Sequence, residues 1–171
     1  MEKSKRNGRN AITISIFVLS ILVFFMFLGL NQQSEGVAED KNEEKSLLST
    51  KESQYDFGVI SMNDGNVEHR FEITNTTDKR IQVHKLYTSC MCTSVYIESK
   101  SKEKGPFGML GMGYLPEVEE SIEVGESRYI RVVFDPNAHG PAGIGKIDRS
   151  ITLVEENGSI LQFRIKGIVT P

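Results

Sequence analysis

The C-terminal two thirds of the sequence alternate apolar and polar residues with a period of two. In the segment VEHRFEIT, Val67, His69, Phe71 and Ile73 alternate with charged or polar residues, which is typical of a strand with one buried face. The turn sequence at 156–159, ENGS, separates two such segments and predicts a β-hairpin. The predicted strands are residues 55–60, 67–74, 80–87, 93–97, 128–134, 147–154 and 161–165.

About seven short strands with intervening turns and no convincing helix predict an all-β fold. Strands of this number and spacing are typical of an immunoglobulin-like β-sandwich, and a small barrel is the alternative. The domain is expected to span residues 54–171, with an insertion at about 99–121.

A different pattern precedes this domain. Residues 11–30 form an uncharged apolar run, long enough as a helix to cross a bilayer. The run is longer than the apolar region of a cleaved signal peptide, and no small-x-small cleavage site follows it. The basic residues in the tail 1–10 are expected to stay in the cytoplasm. The sequence therefore predicts a single-pass membrane anchor and an extracytoplasmic domain, joined by a flexible acidic linker at 31–53.

Composition narrows the classes of function. The formal net charge is −3, so no basic field for nucleic acid is expected. Hydrolase motifs such as G-x-S-x-G and H-E-x-x-H do not occur, and the two cysteines are not spaced as Cys-x-x-Cys. We therefore expect no enzyme activity, no small-molecule substrate and no bound organic cofactor.

Four short motifs stand out in the predicted domain: Asp56-Phe57-Gly58-Val59-Ile60, Phe71-x-Ile-x-Asn75, Ser89-Cys90-Met91-Cys92-Thr93, and Val133-Phe134-Asp135 followed by Gly140. They resemble the motifs of the domain of unknown function 1573 family. The resemblance covers roughly residues 55–169, and the family implies an exported immunoglobulin-like sandwich without an established activity. Met91 stands where the family usually has glycine, and the segment from Ser99 to Glu120 looks like an insertion.

Cys90 and Cys92 are the only cysteines in the chain, and their chemistry has three possible interpretations. In extended backbone both sulfurs would leave one face with their Cα atoms about 6.5–7 Å apart, so a disulfide would require a tight local turn. Two buried, inert thiols are the second possibility, because cysteine is often buried. A metal site is the third, since thiolates select soft ions such as Cu(I) or Zn(II).

Strand direction suggests a third ligand for such a metal. If successive strands run antiparallel, the loop 135–141 leaves the sheet at the same end as the cysteines. His139 in this loop is then a candidate ligand beside Cys90 and Cys92, and a solvated loop histidine is the alternative. By the same reasoning the insertion, which contains Met109 and Met112, starts at the opposite end of the domain, although it is long enough to reach back.

Two functional hypotheses follow from these observations. The first is a membrane-tethered module that binds or scaffolds a protein partner outside the cytoplasm through a sheet edge or polar loops. The second is a metal-handling protein that binds Cu(I) at Cys90, Cys92 and His139.

Overall fold

The computed structural model describes residues 45–112 and 117–171, and within these ranges the chain is built from β-strands and turns without an α-helix. Two short 3-10 turns cover Met62–Asp64 and Gly140–Gly143. The strands are β1 (Leu48–Thr50), β2 (Gln54–Ser61), β3 (Val67–Asn75), β4 (Ile81–Thr88), β5 (Thr93–Glu98), β6 (Glu103–Phe107), β7 (Glu120–Ile122), β8 (Ser127–Phe134), β9 (Gly145–Glu155) and β10 (Ile160–Thr170).

The strands form two five-stranded sheets. The first sheet has the order β1-β3-β8-β5-β6 and the second has the order β2-β10-β9-β4-β7. Neighbouring strands are antiparallel except β2 and β10, which run parallel. The long hairpin of β9 and β10 turns at the predicted position, where Glu155 N–H donates to the Ser159 carbonyl.

The two sheets bury one apolar layer between them. Phe71 from the first sheet and Phe163 from the second are both fully buried, with ring centroids 4.7 Å apart. Burying a side chain of this size stabilises the fold by about 1.5–3 kcal/mol. Every second residue of β3, including Phe71 and Ile73, points into this layer, and the residues between them lie on the more exposed face, as the sequence pattern predicts.

The seven predicted strands all form, and three others join them. β1, β6 and β7 lie at edges of the sheets. β1 falls within the segment predicted to be a linker. This part of the segment forms a strand because Leu48 is buried and pairs with Asn75. The folded domain therefore begins by Lys45, before the expected boundary at 54. The predicted sandwich architecture is confirmed, whereas the expected number of about seven strands is too low.

One end of the sandwich collects the residues of chemical interest, and we call it the cysteine pole. It is formed where β4 ends at Thr88, β5 begins at Thr93 and β8 ends at Phe134. Thr93 pairs with Phe134 across the first sheet. The loop after β8 and the connection between β4 and β5 consequently emerge side by side.

Candidate functional site

The cysteines lie in a tight turn between β4 and β5. The buried Thr88 hydroxyl lies 2.9 Å from the Cys90 carbonyl and 3.1 Å from the Thr93 carbonyl, and it can donate to either. Thr93 N–H closes the turn by donating to the Cys90 carbonyl. These contacts bring the Cα atoms of Cys90 and Cys92 to 5.3 Å, and the two sulfurs form a disulfide. The extended geometry considered above is therefore wrong, since a turn replaces it.

The loop 135–143 brings His139 to the disulfide. Asp135 N–H donates to the Cys92 carbonyl, which fixes the start of the loop against the cysteine turn. His139 Nε2 then lies 3.2 Å from Cys90 Sγ. Gly143 packs below the histidine, and a Cβ at this position would lie 3.3 Å from His139 Cβ, so a larger residue would crowd the loop. The predicted proximity of His139 to the cysteines is confirmed.

Arg149 is a further member of the site that the sequence reasoning missed. Arg149 lies in β9, and its Nε donates a hydrogen bond to Cys92 Sγ over a distance of 3.3 Å. A signal was present in the sequence. Arg149 is two residues from both Ile147 and Ile151, so it lies on the same, inward face of its strand. A cation beside a cysteine sulfur favours the thiolate over the thiol. Once the disulfide is reduced, Arg149 is therefore positioned to stabilise negative charge on Cys92.

The two sulfurs differ in their exposure. Cys92 is 2% exposed and packs within the core, whereas Cys90 is half-buried and His139 is exposed. A reagent from solvent consequently meets Cys90 and His139 first. The sequence offered buried cysteines and a solvent-accessible metal site as separate interpretations. In the structure Cys92 is buried, whereas Cys90 and His139 can be reached from solvent.

The donor atoms are close enough to share one ion. The two sulfurs and a ring nitrogen of His139 lie within 4.8 Å of one another. Bonds of about 2.0–2.3 Å from a metal to nitrogen or sulfur require this order of spacing between ligands. Sulfur atoms bonded to each other are poor ligands, so the disulfide must be reduced before the set of Cys90, Cys92 and His139 can bind a soft cation.

The other two histidines have different surroundings. His69 stacks on Tyr55 with a centroid distance of 3.7 Å, and its Nε2 lies 2.7 Å from Glu52 Oε1. His84 is partly exposed and lies 3.9 Å from a Glu117 carboxylate oxygen. Neither histidine belongs to the cysteine cluster.

Comparison with known proteins supports the predicted family resemblance. Residues 48–119 match the sequence model of a family described as protein of unknown function (DUF1573), and the matched segment contains both cysteines. The resemblance is confirmed over this segment. No curated protein matches the chain.

Three solved structures are similar to parts of this chain. A protein of unknown function from Porphyromonas gingivalis W83 has a TM-score of 0.53 and 13% identity, with coverage of 74% of this chain and 48% of that chain. A family 123 glycoside hydrolase from Clostridium perfringens has a TM-score of 0.50 and 8% identity, with coverage of 69% and 23%. The ASH/PapD-like domain of human CEP192 has a TM-score of 0.43 and 11% identity, with coverage of 74% and 87%.

These likenesses concern the fold alone. The chain spans about half the length of the Porphyromonas protein and about a quarter of the hydrolase. Within 45–112 and 117–171, no helix has the length and apolar character needed to cross a bilayer. The predicted anchor at 11–30 lies outside the residues that the structure describes.

Proposed function

We propose that this chain, whose residues 48–119 match DUF1573, is a membrane-anchored extracytoplasmic module that binds Cu(I) at Cys90, Cys92 and His139. The observation that carries the proposal is the 3.2 Å approach of His139 Nε2 to Cys90 Sγ from a loop 49 residues away. A histidine brought to a cysteine pair over this separation supplies the third donor of a soft-metal site.

Binding requires a change in the redox state of the cysteines. A dithiol reductant gives two electrons and two protons to the Cys90–Cys92 disulfide and itself becomes a disulfide. The two thiols then lose their protons to solvent as Cu(I) takes their place. Arg149 offsets part of the negative charge that collects on the sulfurs.

The anchor supports a role at the membrane surface. An apolar segment at 11–30 with a basic flank would hold the cysteine site outside the cytoplasm. Because disulfides persist in such compartments, the site would bind Cu(I) only where a reductant reaches Cys90.

Competition with a chromogenic Cu(I) chelator tests the proposal on the full chain in detergent. The reduced protein should take Cu(I) from the chelator, whereas the oxidised protein and the C90S/C92S variant should compete for it much more weakly at the same concentration. His139→Ala, which keeps both cysteines, should weaken binding by about tenfold or more, a change typical of a perturbed metal shell. His84→Ala is the matched control and should bind as the wild type does. Equal affinity in C90S/C92S and the wild type would overturn the proposal.

Among the residues that the structure describes, β2 lies at a sheet edge, and this favours a second candidate function, the binding of a protein strand. β2 is an edge strand of eight residues, and its Val59 is 71% exposed beside the 44% exposed Ile168 of β10. Unpaired edges with exposed apolar side chains are places where another chain can add a strand. A photo-crosslinker at position 59 in intact cells should give one discrete adduct, while one at Val124, which is 55% exposed, should give none. Identical patterns from the two positions would exclude this function.

A further inference from the structure

The insertion starts at the opposite end of the domain, as strand direction predicts, and then returns to the cysteine pole. β6 runs antiparallel to β5, and Phe107 at its end pairs with Val95. Thr88 N–H then donates to the Gly108 carbonyl, and Thr88 forms a bridge with Met109. Met109 therefore lies one strand spacing, about 4.8 Å, from Thr88, which is two residues before Cys90.

This return places methionines at the end of the sandwich that carries the disulfide. Met91, between the two cysteines, is 53% exposed, Met112 is 61% exposed, and Met109 is half-buried. Met62 lies at the same pole, since its carbonyl accepts from Asn137 in the His139 loop. Every methionine within the described residues is thus at this one end of the sandwich.

The segment 108–112 has the backbone of a small turn. Met112 N–H donates to the Met109 carbonyl at 3.4 Å, and Gly111 adopts a positive φ of 84° that favours glycine. Met109 and Met112 are consequently held on one short turn beside Thr88.

Thioethers offer a chemistry that the disulfide cannot. A methionine sulfur is a soft, neutral donor that needs no deprotonation and cannot be withdrawn into a disulfide. It therefore remains a ligand for Cu(I) while Cys90 and Cys92 are oxidised. Zn(II) takes thiolate, imidazole and carboxylate donors in proteins, so a thioether set favours Cu(I) over Zn(II).

We propose that Met91, Met109 and Met112 form a thioether site that binds Cu(I) at the cysteine pole independently of the redox state of the cysteines. The identity of the metal rests on the proposed function. The thioether site holds the ion while the disulfide is intact, and the reduced Cys90, Cys92 and His139 receive it afterwards.

The test uses the full chain in detergent with 13C-labelled methionine methyl groups and Ag(I), a soft cation that does not change oxidation state. The methyl resonances of Met91, Met109 and Met112, assigned by single Met→Leu variants, should shift when Ag(I) is added to the air-oxidised protein. The oxidised wild type should also retain Ag(I) through gel filtration, and the triple Met→Leu variant should not.

Leu110→Ala is the matched control, because it changes an exposed apolar residue of the same turn without removing sulfur. It should retain Ag(I). Unmoved methyl resonances, or equal loss of Ag(I) in Leu110→Ala, would overturn the thioether site. The oxidised protein has no free thiols, so the Ag(I) test does not depend on Cu(I) binding by the reduced cysteines. If Cys90, Cys92 and His139 do not bind Cu(I), the methionine methyl resonances should still shift with Ag(I).

Discussion

His139 Nε2 lies 3.2 Å from Cys90 Sγ, and the two residues reach each other from different connections of the sandwich. Cys90 belongs to the turn between β4 and β5, while His139 belongs to the loop between β8 and β9. The pairing of β5 with β8 makes these connections neighbours. The site is therefore a product of the sheet topology and depends on the stability of the first sheet.

The two cysteines should differ in reactivity after reduction. Cys90 is half-buried and Cys92 is 2% exposed, so an alkylating reagent should modify Cys90 first. Timed alkylation followed by mass spectrometry measures both rates, and the unreduced protein should take up no reagent. Faster labelling of Cys92 would contradict the accessibility described for the site.

Replacing Asn75 with alanine should destabilise the domain by about 3 kcal/mol, because buried partners lose their hydrogen bonds. Asn75 is fully buried, and its Nδ2 donates to the carbonyls of Lys79 and Ile122. Its Oδ1 accepts from Thr77 N–H. Chemical denaturation of Asn75→Ala measures the loss. The exposed Asn66→Ala is the control and should unfold as the wild type does, and equal stability of the two variants would refute the role of Asn75.

Acid should weaken an ion pair that joins the two sheets. Partial burial alone would raise the pKa of Glu120, but hydrogen bonds from Arg128 and Lys104 outweigh it and hold this pKa below its ordinary value of 4.5. A lowered carboxyl pKa contributes stability above the ordinary value, and this contribution is lost as the pH falls through the lowered pKa.

Glu120→Gln should therefore lower the free energy of unfolding by about 1.5–3 kcal/mol at neutral pH, the range for hydrogen bonds to charged groups. It should also flatten the loss of stability below pH 4.5. Denaturation at a series of pH values measures both effects, with the exposed Glu156→Gln as control. An acid profile of Glu120→Gln as steep as that of the wild type would show that the pair does not couple pH to folding.

The strands with clear alternation were predictable, and those without it were not. β6, EKGPF, contains glycine and proline and has no period of two. It forms because an edge strand tolerates proline and Phe107 finds a buried place beside Val95. β1 has a single buried leucine, so its pairing depends on a partner strand that local sequence does not reveal.

The same limits apply to the site. Strand direction was enough to bring His139 to the cysteines. The cysteine turn was not predictable, because it depends on the side chain of Thr88 bonding to two carbonyls. The return of Met109 and Met112 to the cysteine pole was left open by the sequence, because β6, the strand that brings them back, has no alternating pattern.

X-ray absorption at the copper edge tests the central claim most directly. The reduced full chain loaded with one equivalent of Cu(I) should show two sulfur neighbours and one nitrogen neighbour, and the nitrogen should be lost in His139→Ala. A copper shell of oxygen and nitrogen alone, or an unchanged shell in C90S/C92S, would contradict the assignment of Cys90, Cys92 and His139 as the binding site.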